Sequence, residues 1–272
     1  MSAPRVVFIT GATDGLGRCT AERLASPGAH LLVHGRDTAR GHAVVAAVEA
    51  AGGSATFHQA DFASLDAVRR MGDAIAAAHP QIDVLINNAG IAVPGAERRV
   101  SADGHELHFA VNALAAFLLT HRLRASLGRE RPSRIIHVAS VGQSPIDFDN
   151  VMLERGYDGM RAYCQSKLAN VMFSFDLAEE LKNANVASTS LHPGTYMDTH
   201  MVRSAGIRPL NTVESGADAV LALVNRPHDA ITGRYFDVQR ESRANAQAYD
   251  AAARRKLRLL SLDLTGLGTR PA

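Results

Sequence analysis

A tyrosine and a lysine four residues apart, Tyr163 and Lys167, form the pair in this sequence best suited to proton transfer. On a helix this spacing places both side chains on one face, about one turn apart. An ammonium held close to a phenol favours the phenolate, so we expect the tyrosine pKa to fall from its usual value of about 10. Such a phenol can pass a proton to or from a substrate oxygen. A packed ring beside a solvated amine has the same spacing, so the pair alone is weak evidence.

A glycine-rich turn follows the first apolar segment of the chain. Residues 5–10 are a short β-rich run, Gly11-Ala-Thr-Asp-Gly15-Leu-Gly17 comes next, and helical character begins at Arg18. Glycines permit a tight turn and a close approach of backbone N–H groups, and a helix N-terminus favours negative charge. The order of strand, turn and helix predicts a phosphate-binding loop, although Gly-x-x-x-Gly-x-Gly is only moderately specific as a bare pattern.

The second predicted strand, residues 29–34, ends at Gly35-Arg36-Asp37. In a βαβ unit this point meets the adenosine ribose, where an acidic residue binds a 2′-hydroxyl and an arginine accommodates a 2′-phosphate. Arg36 comes first, and Arg18 and Arg40 add positive charge nearby in the sequence. We therefore expect NADP(H) rather than NAD(H). A solvated Arg-Asp loop would leave the choice of cofactor open.

Polar residues also follow the third and fourth predicted strands, residues 55–60 and 82–86. Asp61 is placed to bind the adenine amino group, to cap the helix that begins near Ser64, or to do both. The asparagines of residues 87–90 suit a buried polar junction beside a ligand ring, with a simple turn as the alternative.

Asn112 lies inside an apolar run of a long predicted helix, residues 103–127. Asparagine is unfavourable in a helix interior because its amide competes with backbone hydrogen bonds. Its position therefore indicates a kink or an internal polar role.

The remaining elements continue the alternation of strand and helix. They are a strand at 133–139 that ends at Ser140, a helix that carries Tyr163 and runs to about 183, a strand at 186–191, a helix at 214–225, a strand at 233–238 and a terminal helix at 242–260. Residues 195–210 show no strong periodicity and are predicted to form a substrate lid. No linker interrupts the order, so seven strands predict one doubly wound α/β Rossmann domain over residues 1–272, with a mostly parallel sheet and helices on both faces. The glycine loop, Arg36, Asp61, Asn88 and Ser140 then lie at strand carboxyl ends, where ligands bind.

Composition limits the classes of function that fit. The 272 residues are 46% hydrophobic and 21% charged with a net charge of +2, which gives no reason to expect a nucleic acid or an acidic membrane as partner. The twelve histidines show no metal-ligand spacing, and Cys19 and Cys164 indicate no disulfide framework. No apolar run approaches the roughly 20 residues of a membrane span, and no signal-peptide order is present at the start. We expect a soluble cytoplasmic protein without a metal site.

Taken together, the motifs resemble the short-chain dehydrogenase/reductase family. Six elements stand in the family's order and spacing: Thr10-Gly-x-x-x-Gly-x-Gly17, Asn87-Asn-Ala-Gly90, Asn112, Ser140, Tyr163-x-x-x-Lys167 and Pro193-Gly194. The similarity runs from about residue 5 to 238. Residues 161–181, 111–114 and 117–120 look like the retinol dehydrogenase and protochlorophyllide reductase-like branch, which generally uses NADP(H).

The resemblance implies roles for the central residues. Tyr163 would be the catalytic acid/base, and Lys167 would lower its pKa and bind the nicotinamide ribose. Ser140 would hydrogen-bond the substrate oxygen, and Asn112 would hold a water that links Lys167 to solvent. Cys164, directly after the tyrosine, is an unusual residue for this branch; it is either near the cofactor or simply packed. The cofactor contacts implied are Gly11, Thr13, Gly15, Leu16 and Gly17 at the pyrophosphate, Arg36 at the ribose phosphate, Asp61 and Phe62 at the adenine, Asn88, Ala89 and Gly90 on the adenosine side, and Pro193, Gly194 and Thr195 at the carboxamide.

The function implied is that of an NADP(H)-dependent oxidoreductase that interconverts a carbonyl and an alcohol on a moderately apolar small molecule. Reduction of a carbon–carbon double bond, as in protochlorophyllide reductase-like relatives, is the alternative. A non-catalytic NADP(H) sensor is a remote third reading, because such proteins usually lose the tyrosine or the lysine. Relatives often pair through the helices that hold Asn112 and Tyr163, so a homodimer or homotetramer is expected, although the apolar content of those helices fits a monomer equally.

Overall fold

The computed structural model describes residues 4–93, 95 and 97–268, and its strands form a single sheet. The strands are β1 (Arg5–Ile9), β2 (Ala29–Gly35), β3 (Ser54–Gln59), β4 (Val84–Asn87), β5 (Ser133–Val138), β6 (Val186–His192), β7 (Tyr235–Asp237) and β8 (Arg240–Ser242). Within the described residues their order is β3-β2-β1-β4-β5-β6-β7-β8. All neighbours pair in parallel except β7 and β8, which are antiparallel. The chain crosses over after β3, so the ends of β1 and β4 meet at a switch point that suits a dinucleotide.

Helices cover both faces of the sheet. They are α1 (Gly15–Leu24), α2 (Thr38–Ala50), α3 (Leu65–Ala78), α4 (Ala115–Arg122), α5 (Gly159–Glu180), α6 (His200–Ser204), α7 (Val213–Asn225) and α8 (Ala251–Leu264). A π-helical segment, Phe109–Leu114, leads into α4. The predicted doubly wound α/β fold is confirmed.

Two apolar cores lie on opposite sides of the sheet. In β1, Val6 and Phe8 face the core under α3, α4, α5 and α8, whereas Val7 and Ile9 face the core under α1, α2 and α7. Successive side chains of a strand point to opposite faces. The continuous apolar run of residues 6–9 therefore fits a parallel strand that is covered on both sides.

Within the described residues the sheet has eight strands where seven were predicted, because β8 pairs with β7 to form a short antiparallel edge. All three residues of β8 are exposed and polar, so no apolar pattern marked it as a strand. The predicted terminal helix from residue 242 begins only at Ala251. Residues 240–242 belong to β8, and a 3₁₀ turn, Ala246–Tyr249, follows.

The long helix predicted for 103–127 starts later than expected. The Asp103 carboxylate accepts a hydrogen bond from Leu65 N (2.9 Å), so it caps α3 instead of continuing its own helix. The π-helical segment begins at Phe109 and has Asn112 in its middle. Asn112 thus marks an irregular turn, as its type predicted.

The C-terminal helix α8 packs on α5. Every residue from Cys164 to Phe175 in α5 is buried, as are all those from Ala115 to Thr120 in α4. Arg254 of α8 pairs with Glu179 of α5, and the Arg258 and Asp176 side chains lie 3.4 Å apart. The helices expected to pair two subunits are therefore covered within the chain.

Nothing among the helices in the described ranges has the length and apolarity to traverse a lipid bilayer. A cytoplasmic location stays a prediction, as does the role of residues 195–210 as a lid, which contain the short α6.

Candidate active site

Tyr163 and Lys167 lie on one face of α5, as predicted. The Asp158 side chain accepts a hydrogen bond from Arg161 N and caps the helix one turn before the tyrosine. Lys167 Nζ lies 5.8 Å from the centroid of the Tyr163 ring. The amine is buried and donates to the carbonyl oxygen of Val138, the last residue of β5 (2.9 Å). Burial lowers the pKa of Lys167 to about 8.

The predicted fall of the Tyr163 pKa is not found. Loss of solvent around the ring raises the pKa of Tyr163, and a hydrogen bond with the Ser140 side chain only partly offsets this. The ammonium of Lys167 is directed at Val138 O and not at the phenol oxygen. Burial disfavours the charged phenolate, and its effect on the pKa of Tyr163 is the larger one.

Ser140 follows the end of β5 and is held from three sides. Its hydroxyl accepts a hydrogen bond from Gly142 N (3.0 Å), and its carbonyl accepts from Tyr235 Oη (3.0 Å) and Gln143 Nε2 (2.7 Å). A Cβ on Gly142 would lie 3.4 Å from Ser140 Oγ and 3.8 Å from Tyr163 Cε1, so the structure brings these two side chains together. Sequence reasoning missed Tyr235. Tyr235 belongs to β7, which is separated from β5 by β6, and only the strand pairing shows that its hydroxyl reaches the end of β5.

Asn112 uses its amide to hold the segment after Gly90. Its Oδ1 accepts from Ile91 N (2.7 Å), and its Nδ2 donates to Ile91 O (3.0 Å) and to Ser166 Oγ (2.9 Å). A Cβ on Gly90 would lie 3.2 Å from Asn112 Oδ1 and 3.3 Å from Lys167 Nζ. The internal polar role is confirmed. A water held between Asn112 and Lys167 stays a prediction.

The glycine loop packs directly on the end of β4. Asn88 Nδ2 donates to Thr10 O (2.8 Å) and Gly11 O (3.0 Å), so the predicted polar junction is present. A Cβ on Gly17 would lie 2.2 Å from Gly11 O, and one on Gly11 would lie 2.8 Å from Ala89 Cα. Gly11 and Gly15 also have φ of +63° and +48°. Only glycine gives this turn and its close backbone contacts.

His34 is a site residue that sequence reasoning missed. Its Nδ1 accepts from Gly11 N (3.0 Å), and its Nε2 lies 3.1 Å from Ala60 O. The ring stacks on Phe62 with centroids 4.1 Å apart. Burial lowers the pKa of His34 to about 4, which keeps the imidazole neutral and its Nδ1 free to accept. The sequence signal that could have identified it is a histidine near the end of a predicted buried strand.

Arg36 lies at the exposed end of β2, beside the glycine loop. Its carbonyl accepts from Gln59 Nε2 (3.0 Å), and across the described residues its guanidinium forms no ion pair. The two other arginines expected nearby are paired, Arg18 with Glu22 (2.7 Å) and Arg40 with Asp14 (3.3 Å). Of these three arginines, Arg36 is thus the one without an ion pair in the described part of the chain.

Asp61 does not cap α3, so that alternative is wrong. Its Oδ1 accepts from Ala63 N (3.0 Å), whereas the Ser64 hydroxyl caps the helix by accepting from Ala67 N. The Asp61 side chain is exposed at the end of β3. The ring of Phe62 is buried against His34, so only the backbone of Phe62 is available to a ligand.

The residues after β6 are fixed by short contacts. The His192 Nε2 and Thr195 Oγ1 atoms lie 3.0 Å apart, and Asn211 Nδ2 donates to Thr195 O (2.6 Å). His192 therefore has a structural role, and Pro193 and Gly194 lie at the same sheet edge as the glycine loop. Cys164 is buried, and burial raises the pKa of its thiol, as in a packed cysteine.

Comparison with known proteins agrees with this geometry. The sequence profile of short chain dehydrogenases matches residues 5–208. Human retinol dehydrogenase 14 is 34% identical over 97% of this chain and 87% of its own length, and human retinol dehydrogenase 11 is 33% identical over 97% and 86%. A crystal structure from Mycobacterium paratuberculosis, of an uncharacterised protein, superposes with a TM-score of 0.80 at 30% identity, over 97% of this chain and 94% of that one. A Burkholderia cenocepacia short chain dehydrogenase in complex with NADP gives 0.71 at 28% identity, over 87% and 96%.

The chain belongs to the short-chain dehydrogenase/reductase family and is an oxidoreductase of the Rossmann fold. Within that family it lies in the retinol dehydrogenase-like branch.

Proposed function

We propose that this protein is an NADP(H)-dependent oxidoreductase that interconverts a carbonyl and an alcohol on a moderately apolar small molecule. The observation that carries the proposal is that the Ser140 side chain and the Tyr163 ring are neighbours at the carboxyl end of β5, with the Lys167 amine 5.8 Å from the centroid of that ring. This is where a doubly wound sheet binds its ligands.

The glycine loop fits a dinucleotide. Because Gly17 has no side chain, the first turn of α1 packs closely against Gly11 O, and the N-terminus of α1 at this loop suits the negative charge of a pyrophosphate. Gly11, Thr13, Gly15, Leu16 and Gly17 would hold that group, and Asn88, Ala89 and Gly90 would line the next part of the site. Pro193, Gly194 and Thr195 would face the carboxamide, and Lys167 the nicotinamide ribose.

Reduction of a carbonyl needs a hydride and a proton. The cofactor supplies the hydride when it is bound. Ser140 and Tyr163 donate hydrogen bonds to the substrate oxygen, which gains negative charge as its carbon is reduced. Tyr163 then transfers its proton to that oxygen, and the positive charge of Lys167 favours the phenolate left behind. Oxidation of the alcohol follows the same steps in reverse.

Arg36 supports NADP(H) as the cofactor. Its guanidinium, which forms no ion pair with any described residue, follows β2 and is suited to a 2′-phosphate, because arginine binds phosphate with two parallel hydrogen bonds. Several structural relatives were solved with NADP, which supports the same choice.

The surroundings of Tyr163 support an apolar substrate. Val141 directly follows Ser140 and is 51% exposed, and Met160 lies three residues before Tyr163 on α5 and is 63% exposed. Large exposed apolar side chains beside a site favour an apolar ligand. The similarity to retinol dehydrogenases supports the same class of substrate.

A substrate screen tests the proposal. NADPH and NADH are each offered with apolar aldehydes, ketones and enones, with retinal in the panel, and the products are identified. We expect turnover with NADPH, alcohol as the product, and a shift toward NADH in Arg36→Asp. A saturated ketone as product would support double-bond reduction instead. No cofactor oxidation with any compound would contradict an enzymatic function.

A further inference from the structure

Two buried polar residues beside Tyr163 have no part in the site described above. Glu106 and His108 are each 1% exposed and precede the π-helical segment. His108 Nδ1 lies 2.8 Å from Glu106 Oε1, and Glu106 Oε2 accepts from Phe109 N (2.7 Å). Tyr157 donates its hydroxyl to the same carboxylate (3.3 Å). Burial disfavours the ionised carboxyl, but the hydrogen bonds from His108 and Phe109 outweigh it and lower the pKa of Glu106.

His108 lies one helical turn before Asn112 and, like it, binds the backbone of the segment that follows Gly90. Asn112 holds both backbone groups of Ile91, and His108 Nε2 accepts from Val93 N (2.9 Å). Residues four apart on a helix lie on one face, and these two side chains hydrogen-bond to alternate residues of the segment 91–93. This segment directly follows Gly90, which lies against Lys167.

The contact pattern selects one tautomer of the histidine. Because Val93 N is a donor, Nε2 must be the unprotonated nitrogen, and the proton on Nδ1 is donated to Glu106. Glu106 therefore orients the ring through the nitrogen that does not face the site. A carboxylate behind a histidine commonly has this orienting role.

The His108 ring also contacts the proposed acid. Its centroid lies 6.4 Å from that of Tyr163, with the ring planes at 83°, an edge-on arrangement. One imidazole thus touches the tyrosine ring and holds the segment that follows Gly90.

We propose that His108, oriented by Glu106, is a positioning residue that keeps Tyr163 and the segment 91–93 in place for proton transfer to the substrate. The inference rests on the proposed function of Tyr163. A small displacement of a reacting group lowers the rate strongly without a matching loss of binding. His108 should therefore act on kcat more than on cofactor affinity.

The test compares two replacements of His108 in the full-length protein. His108→Leu removes the acceptor for Val93 N, whereas His108→Gln keeps an oxygen acceptor near the position of Nε2. We expect kcat to fall about 10- to 100-fold in His108→Leu, with NADPH affinity unchanged by fluorescence titration, and to recover in His108→Gln. Equal kcat values in the two variants would overturn the proposal.

Two further variants keep this test decisive. His108→Leu leaves a buried carboxylate with one donor fewer, so the double variant Glu106→Gln/His108→Leu takes its place if the single variant does not fold. His228→Leu is the matched control: its Nε2 is buried without a partner in the described part of the chain, in the turn between α7 and β7, at the opposite edge of the sheet from Tyr163. An equal loss of kcat in the control would overturn a specific role.

Failure of this inference can be told apart from failure of the proposed function. Full turnover in Tyr163→Phe contradicts the function. An inactive Tyr163→Phe together with a fully active His108→Leu contradicts only the role of His108.

Discussion

The spacing of Tyr163 and Lys167 predicted their shared helix face, but the electrostatics of the pair depended on residues that are distant in sequence. The Val138 carbonyl accepts the hydrogen bond of the Lys167 amine, and the Ser140 side chain lies beside the Tyr163 ring. Both come from the end of β5, and the burial they help to create raises the pKa of Tyr163. A spacing of four residues carries no information about solvent access, which is why the predicted direction was wrong.

His34 shows the same limit. Its contacts with Gly11 and Ala60 join segments 23 and 26 residues away from it in sequence. The sequence motifs identified the glycine loop and Asp61 as separate features. Only the pairing of β2 with β1 and β3 shows that the His34 side chain lies between them.

Burial of Lys167 makes a prediction for stability against pH. Its folded-state pKa of about 8 lies below the ordinary value of 10.5, so the unfolded chain binds more protons between these limits. The free energy of unfolding of the wild type, relative to Lys167→Met, should therefore rise with pH from about 8, by at most about 1.4 kcal/mol per pH unit. Urea unfolding of both proteins at several pH values between 7 and 10 measures the difference. A difference that is constant or falls with pH would contradict the burial argument.

At the scale of elements, apolar periodicity located β1 to β7 and most helices. It failed where polar residues determine whether a helix or strand forms. Asp103 looked like a helix start but caps α3, and β8 has no apolar residue to mark it. Asn112 was recognised as irregular because its type is unfavourable in a helix, although its partner, Ile91, was not.

Helix α8 bears on the expected pairing of subunits. It packs on α5 through Leu257 and through the ion pairs of Arg254 and Arg258. Because α8 covers α5 and the residues from Ala115 to Thr120 of α4 are buried within the chain, we predict a monomer in solution, with a mass near the 29.0 kDa of one chain. Light scattering coupled to size exclusion measures this mass.

A substitution that loosens α8 should change that result. Leu257→Asp places a charge in the apolar contact between α8 and α5, and should expose the apolar face of α5. The exposed face is detected as self-association or as binding of a hydrophobic dye. A wild-type mass of twice the chain would contradict the prediction.

For the whole molecule, the alternation of strands and helices predicted the doubly wound sheet and the edge at which the site lies. The site itself combines the ends of several strands, which is a property of the topology and not of any single motif. Ser140 and Tyr163 are brought together only when α5 packs on β5 and β6. The sequence motifs identified these residues, and the contacts among them required the fold.

The role of Tyr163 as the proton donor is tested most directly by the turnover of Tyr163→Phe with NADPH and a carbonyl substrate that the wild type reduces. The change removes the proton donor but keeps the ring beside His108 and Lys167. We predict that NADPH affinity stays the same while kcat falls by about 10²- to 10⁴-fold, the range typical of lost acid–base catalysis. Turnover close to that of the wild type would contradict the assignment of Tyr163 as the acid.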